Sequence, residues 1–163
     1  MKEISMKNGM SVMVDDADFP VLIKYKWHAG KNSTNWYAYT TLWVNKKRVN
    51  IPMHRAILNI TDRSLLVDHK DGNGLNNQRH NIRLSTHQQN SCNQRKPSKS
   101  NRAKTSIFKG VCFKKAQGKF YASIDSGNIK IHLGVYSTEE EAAIAYNIAT
   151  TKYHGEFARL NNI

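Results

Sequence analysis

Cysteine, proline, acid and long apolar runs are all scarce in this chain. Only two of its 163 residues are Cys and three are Pro. Cys92 and Cys112 form no C-x-x-C pair, and two thiols cannot build a four-thiolate zinc site. No structural zinc is expected, and both residues read as ordinary reduced thiols. No apolar run approaches the length of a membrane span. Residues 1–13 lack the apolar core of a signal peptide. The expectation is a cytoplasmic protein with no membrane partner. Acids number 12 against 25 Lys and Arg, for a net charge of +13. That imbalance says little about fold but selects a polyanionic partner. Nucleic acid is the first candidate and an anionic membrane surface the second. The length suits one domain or two small ones, each with a small core.

Residues 1–14 alternate loosely around Asn8-Gly9, which predicts a β-hairpin. Asp15, Asp16 and Asp18 precede F-P-V-L-I-K-Y-K-W. Acids before an apolar stretch, with Pro20 early in it, predict a short capped helix. A second metal site is the sharper alternative for these acids. Residues 30–35 are loop-like. W-Y-A-Y-T-T-L-W-V over 36–44 is aromatic and β-branched, hence a strand. Asn45-Lys46-Lys47 is a turn and 48–53 a returning strand. Two readings fit the lysines at this tip: contact with a phosphate backbone, or a solvated turn. Residues 54–58 are helix-like. Arg55 is a candidate phosphate contact, and His54 reads as a packing residue.

The stretch 65–93 carries the densest chemistry. A short apolar run ends in Asp68-His69, a Gly-rich polar loop spans 70–80, and N-I-R-L over 81–84 is a second strand pattern. Ser85-Thr86 then lead into a polar helix holding Asn90. Strand, long loop, strand and helix would gather a carboxylate, an imidazole and an amide oxygen. Such groups suit one hard divalent cation and one activated water.

In Asp68-His69, Asn81 twelve positions later, Asn90 nine further, and the surrounding D-H-x-D-G-N…N-N…N-I-R-L-S-T…Q-N, the sequence resembles HNH nucleases of the phage and homing type, which have the ββα-metal fold. M-H-R-x-I-L ahead of it is also similar to that family. The resemblance implies Asp68 and Asn90 as ligands of one Mg²⁺ or Mn²⁺ ion and His69 as general base. It implies Asn81 as the residue whose side chain bonds backbone and aims His69. Asn90 stands where many members have His, a variant also found in the homing branch. The implied products are a 5′ phosphate and a 3′ hydroxyl.

Residues 94–105 have no apolar periodicity and no acid, but include Arg95, Lys96, Lys99, Arg102 and Lys104. They read as a basic linker, able to lie along phosphates or simply to be a solvated tether. Three strand patterns follow over 107–115, 119–126 and 129–137. Thr138 and Glu141 form a capping-box pattern at the head of a helix. Its small-residue stripe, Ala142, Ala143, Tyr146, Ala149 and Thr150, allows close approach to a sheet. In F-K-G-V, G-K-F-Y-A-S-I, H-L-G-V-Y, T-E-E-E-A-A-I-A-Y and H-G-E-F-A-R-L-N, this part resembles the AP2 DNA-binding domain. That implies a sheet entering the major groove, with Lys109, Lys114, Lys119, Lys130 and His132 among the DNA-facing residues. Cys112, Ser123, Asp125 and His132 replace residues favoured in the plant proteins, so the plant target sequence does not transfer.

The fold class expected is α+β. Residues 1–93 would form a β-rich extension with a central ββα-metal motif, 94–105 a linker, and 106–163 a three-stranded antiparallel sheet with one helix. The function expected is metal-dependent cleavage of double-stranded DNA by a monomer that nicks, with site choice by the C-terminal domain. A catalytically inactive DNA-binding regulator is the alternative, and an RNA-binding protein a third.

Overall fold

A computed structural model describes residues 1–32, 35–96 and 106–163. The expected residues Lys99, Arg102 and Lys104 lie outside the described residues. The chain divides into two compact units, Met1–Thr86 and His87–Ile163. Both mix short strands with few helices, consistent with an α+β class. No helix among the described residues is long and apolar enough to cross a membrane.

The first unit opens with an antiparallel hairpin, β1 (Lys2–Ser5) and β2 (Ser11–Val14), turned at Gly9. Ile4, Val12 and Val14 alternate inward along it and are buried. The acids that follow do not cap a helix. Asp18 precedes α1 (Phe19–Leu22) but makes no side-chain capping bond. Its carboxylate instead accepts from Nε (2.9 Å) and Nη2 (2.7 Å) of Arg79. Asp15 accepts the Arg79 N–H at 2.7 Å and the Gln78 amide at 3.3 Å. These acids therefore bind the N-terminal segment to the far end of the polar loop.

A strand not expected from the sequence follows, β3 (Trp27–Lys31). It pairs with β4 (Trp36–Val44), which pairs with β5 (Lys47–Pro52) in a three-stranded antiparallel sheet. Trp27 anchors the new strand: its ring is buried and its indole N–H donates to the Leu22 carbonyl at 2.8 Å. Asn45 and Lys46 both take positive φ at the β4–β5 turn, the geometry a two-residue hairpin needs. After α2 (Met53–Ile57), β6 (Leu66–His69) pairs with β7 (Ile82–Ser85) in register Asp68↔Arg83 and His69↔Ile82. Met53, Ile57 and Ile82 complete one core with the hairpin residues and Trp27. Fully burying side chains such as Val12, Val14 or Met53 contributes about 1.5–3 kcal/mol each.

The second unit begins with α3 (His87–Asn93), not with residue 106. A three-stranded antiparallel sheet follows, of β8 (Val111–Lys114), β9 (Lys119–Ser126) and β10 (Ile129–Tyr136). The first of these is shorter than the sequence pattern suggested. A bulge between His132 and Gly134 shifts the β9–β10 register. Then α4 (Glu139–His154) starts with both halves of the Thr138–Glu141 capping box. Its buried Ala142, Ala143, Tyr146 and Ala149 lie over Val111, Ala122 and Ile124. Asn161 closes the unit by clamping the Lys109 backbone, accepting its N–H at 2.7 Å and donating to its carbonyl at 3.1 Å.

Gly110 sits at φ +75° directly beneath Tyr146, where an added Cβ would lie 1.9 Å from the ring. Gly110→Ala is therefore expected to cost about 2–4 kcal/mol, from backbone strain and overpacking together. Urea unfolding of the second unit's signal should show a lower midpoint. An unchanged midpoint would disprove the close packing described.

Candidate active site

The site in the first unit is built on the last two residues of β6. Asp68 and His69 are 4% and 5% exposed, so neither is a surface group. Asp68 faces its register partner Arg83, which donates from Nε (3.0 Å) and Nη2 (2.8 Å) to the same oxygen, Oδ2. A buried guanidinium on a buried carboxylate fixes the direction of the latter.

His69 points the other way, into an aromatic and polar pocket. Its Nε2 lies 3.3 Å from Oδ1 of Asn77. The ring of His54 meets it edge-on at 5.2 Å between centroids, and Tyr37 meets both imidazoles, at 5.7 Å and 5.9 Å. Asn77 is itself fully buried. Its backbone N–H donates to the Met13 carbonyl, at 2.8 Å, and its side-chain amide to Gly74. With Nε2–H donating to Asn77, the basic lone pair of His69 falls on Nδ1. Gly74 is required by close approach: a Cβ there would lie 2.4 Å from the Trp36 carbonyl and 2.5 Å from the Tyr37 ring.

The loop between the strands has almost no apolar content, so its shape rests on hydrogen bonds. Asn81 donates to the Asn76 carbonyl (2.8 Å) and to Asp71 Oδ1 (3.0 Å), and accepts the Asp71 N–H at 3.1 Å. Asp71 also accepts the Asn73 N–H and the Asn76 amide, both at 2.8 Å. Burial pushes the Asp71 carboxyl up, but these donors outweigh it and leave it below the ordinary range. Burial pushes the His69 imidazole down, against weaker opposition from Asn77, Asp71 and Asp68. His54 is lowered further, to about 3, by burial and then by the adjacent His69 ring and Arg55. Both imidazoles are neutral at pH 7.

Tyr37 carried no marked signal in the sequence, and Asn77 and Arg83 stood inside the N-N and N-I-R-L motifs without a role at His69 or Asp68. His54 carried a signal, through M-H-R, but read as packing. Arg55, expected at a phosphate, donates to the carbonyls of Leu65 (2.8 Å) and Asp62. It fastens the connector between α2 and β6.

Asn90 lies on α3, in the second unit. There two expected DNA contacts have internal roles instead. Lys109 places its ammonium on the carbonyls of Ser91, Cys92 and Gln94 at the end of α3. Lys96 donates to the carbonyls of Ser106, Phe108 and Val111. An ammonium has three donors, and carbonyls at a helix C-terminus carry partial negative charge, so both fits are favourable. Burial lowers the Lys109 pKa. Arg95 is exposed. Lys114, Lys119, Lys130 and His132 lie on the sheet face opposite Ala122 and Ile124, the face turned from α4. Lys114 stands 4.0 Å over the Tyr121 ring and His132 beside the same ring. Lys119 reaches the Ser137 hydroxyl, and Lys130 forms an exposed pair with Asp125.

Among the described residues no three of His, Cys, Asp and Glu gather as a metal cluster. The hard oxygen donor of this unit's site is the Asp68 carboxylate, a ligand type that suits Mg²⁺ or Mn²⁺ with water and phosphate completing the shell.

No protein-family model matches the chain. It is 34% identical over 160 residues to an uncharacterized HNH endonuclease of Acanthamoeba polyphaga mimivirus, covering 95% of this chain and 76% of that protein. It is also 46% identical over 52 residues to an AP2-like ethylene-responsive transcription factor of Arabidopsis thaliana, and 42% identical over 52 to one of Oryza sativa subsp. japonica. Those two matches cover 31% of this chain but only 10% and 8% of the plant proteins.

The neutral imidazoles have a consequence for stability. A His whose folded pKa is depressed binds fewer protons folded than unfolded, so stability falls as pH drops below the unfolded value. For His54 the window runs from its ordinary 6.5 down to about 3. His69 adds in the same direction. Between pH 6.5 and 5, His54 alone should cost the first unit about 2 kcal/mol. Denaturation at both pH values should show this loss in wild type and a smaller one in His54→Gln. Equal losses would refute the burial of His54.

Proposed function

Because the chain belongs to the HNH endonucleases, we propose that it hydrolyses phosphodiester bonds of double-stranded DNA with one Mg²⁺ or Mn²⁺ ion, nicking one strand as a monomer. The observation that carries this reading is the buried His69, neutral and held at Nε2 by Asn77, next in sequence to an Asp68 oriented by Arg83.

His69 takes a proton at Nδ1 from the attacking water. The water oxygen forms its bond to phosphorus as the bond to the 3′ oxygen breaks. The departing 3′ oxygen takes a proton from solvent water, leaving a 5′ phosphate and a 3′ hydroxyl. Asn81 acts through the loop: by joining residues 71 and 76 it keeps the segment behind His69 from shifting. Asp68 is the residue of the first unit that would hold the cation. When bound, it supplies charge neutralisation at the phosphate and at the departing oxygen.

The C-terminal unit is the site selector in this proposal. Lys114, Lys119, Lys130 and His132 on its outer sheet face meet the major groove. Arg95, with Lys99, Arg102 and Lys104 in the basic segment, adds phosphate affinity, so binding should weaken steeply with salt.

The test is cleavage of supercoiled plasmid in Mg²⁺ or Mn²⁺, with a gel shift alongside. Wild type should convert plasmid to open circle. His69→Ala should lower the rate by about 10²-fold or more while binding persists. Asp68→Asn should lose activity that a higher Mn²⁺ concentration partly restores. Three proteins that bind equally and never cut would replace the nuclease by a DNA-binding regulator.

A further inference from the structure

The outer face of the β3–β4–β5 sheet is a continuous row that starts at His69 and ends at the hairpin tip. Side chains alternate along β4. Ala38 and Thr40 point into the core and are buried. Tyr37, Tyr39, Thr41 and Trp43 point the other way. Cross-strand neighbours extend the row: His28 opposite Tyr39, Asn50 opposite Thr41, and Arg48 opposite Trp43.

Each step of this row is a defined contact. Tyr37 touches the His69 ring. His28 stacks on Tyr39. The Thr41 hydroxyl donates to Asn50 Oδ1 at 2.7 Å. Arg48 stands 5.3 Å from the Trp43 ring. Burial falls along the row, and Trp43 is 68% exposed. A large indole left in solvent at the end of a two-stranded ribbon makes no contribution to the core. It is the kind of exposed aromatic that marks a binding surface.

Charge identifies the partner. No Asp or Glu occurs between Asp18 and Asp62, whereas Lys46, Lys47 and Arg48 crowd the tip. From Tyr37 to Trp43 the row spans about 20 Å at strand rise. That length corresponds to about six base pairs, and a two-stranded ribbon fits the major groove of B-form DNA.

We propose that this face is a second DNA-contacting surface, continuous with the candidate catalytic His69, with Trp43 and Arg48 as its distal anchor. The assignment of duplex DNA as ligand rests on the nuclease reading. Arg48 meets phosphate, and Trp43 packs on sugar and base edges in the groove. Lys46 and Lys47 add phosphate contacts beyond it.

The test uses the full chain, a short duplex DNA followed by fluorescence anisotropy at several salt concentrations, and the plasmid assay. Trp43→Ala should weaken binding about tenfold, and Trp43→Phe by less than about threefold. Arg48→Ala should lower the salt slope by about one. Plasmid nicking at sub-saturating protein should fall in parallel with the affinity of each variant. Duplex RNA, whose major groove is deep and narrow, should bind weakly and without regard to Trp43. Affinities of Trp43→Ala and Arg48→Ala within about twofold of wild type would overturn the surface. So would an equal loss from Lys24→Ala, an exposed cation on another part of the unit, or equal binding of duplex RNA. Cleavage by wild type with unaltered variant affinities would leave the nuclease reading standing and remove this surface. Affinity losses in a chain that never cuts would do the reverse.

Discussion

The hydrogen bonds centred on Asp71 and Asn81 are the constraint on which the first unit depends. The loop between β6 and β7 has too little apolar surface to be held by packing. Its backbone groups cannot be buried without partners, because each one left unsatisfied costs about 1–3 kcal/mol. Asn81 satisfies donors and acceptors at residues 71 and 76, and Asp71 collects the amides of Asn73, Asn76 and Asn81. The shaped loop then meets β2 through Met13, which pairs with residues 75 and 77. Only on that support does Asn77 reach Nε2 of His69. The tautomer that places a basic lone pair on Nδ1 thus depends on polar contacts several residues from the imidazole.

The same logic of internal polar partners governs the second unit. Lys109 and Lys96 hold backbone carbonyls on either side of the basic segment: those at the end of α3, and those leading into β8. They make α3 part of the C-terminal fold. The compact units therefore divide at Thr86, where the composition change near Asn93 had suggested a later boundary. Composition registers a loss of apolar pattern, but it does not register which carbonyls a lysine will find.

Periodicity made most of the fold legible. The first hairpin, the long strand at 36–44, the paired strands around the loop and the capping box all follow from local pattern. Trp27–Lys31 did not, because H-A-G-K gives neither alternation nor a β-branched run. That strand exists through Trp27 burial and pairing with β4, which are tertiary effects. The acids at Asp15 and Asp18 misled for a related reason. Their sequence position suits a helix cap, yet Arg79, some sixty residues on, offers a bidentate partner. At the site, His69, Asp68 and Asn81 stood out by spacing. Tyr37 did not, and His54 and Asn77 lay in motifs that gave them no role beside His69, since what unites the three is convergence in space on one imidazole.

Net charge is likewise a count of cations and not a measure of their availability. Arg55, Arg79, Arg83, Lys96 and Lys109 are all occupied by carboxylates or backbone carbonyls. Each fixes a loop, a strand pair or a helix end. The set of cations available for direct phosphate contact is therefore smaller than the 25 Lys and Arg suggest. It is also more localised. In the first unit the hairpin tip holds three consecutive cations, Lys46, Lys47 and Arg48, in a stretch without a single acid. Such local concentrations decide orientation, because screening limits each charge to a reach of about 10 Å at moderate salt. A duplex drawn to this unit would then be aligned by the tip and the row leading from it to His69. Average charge alone would not align it.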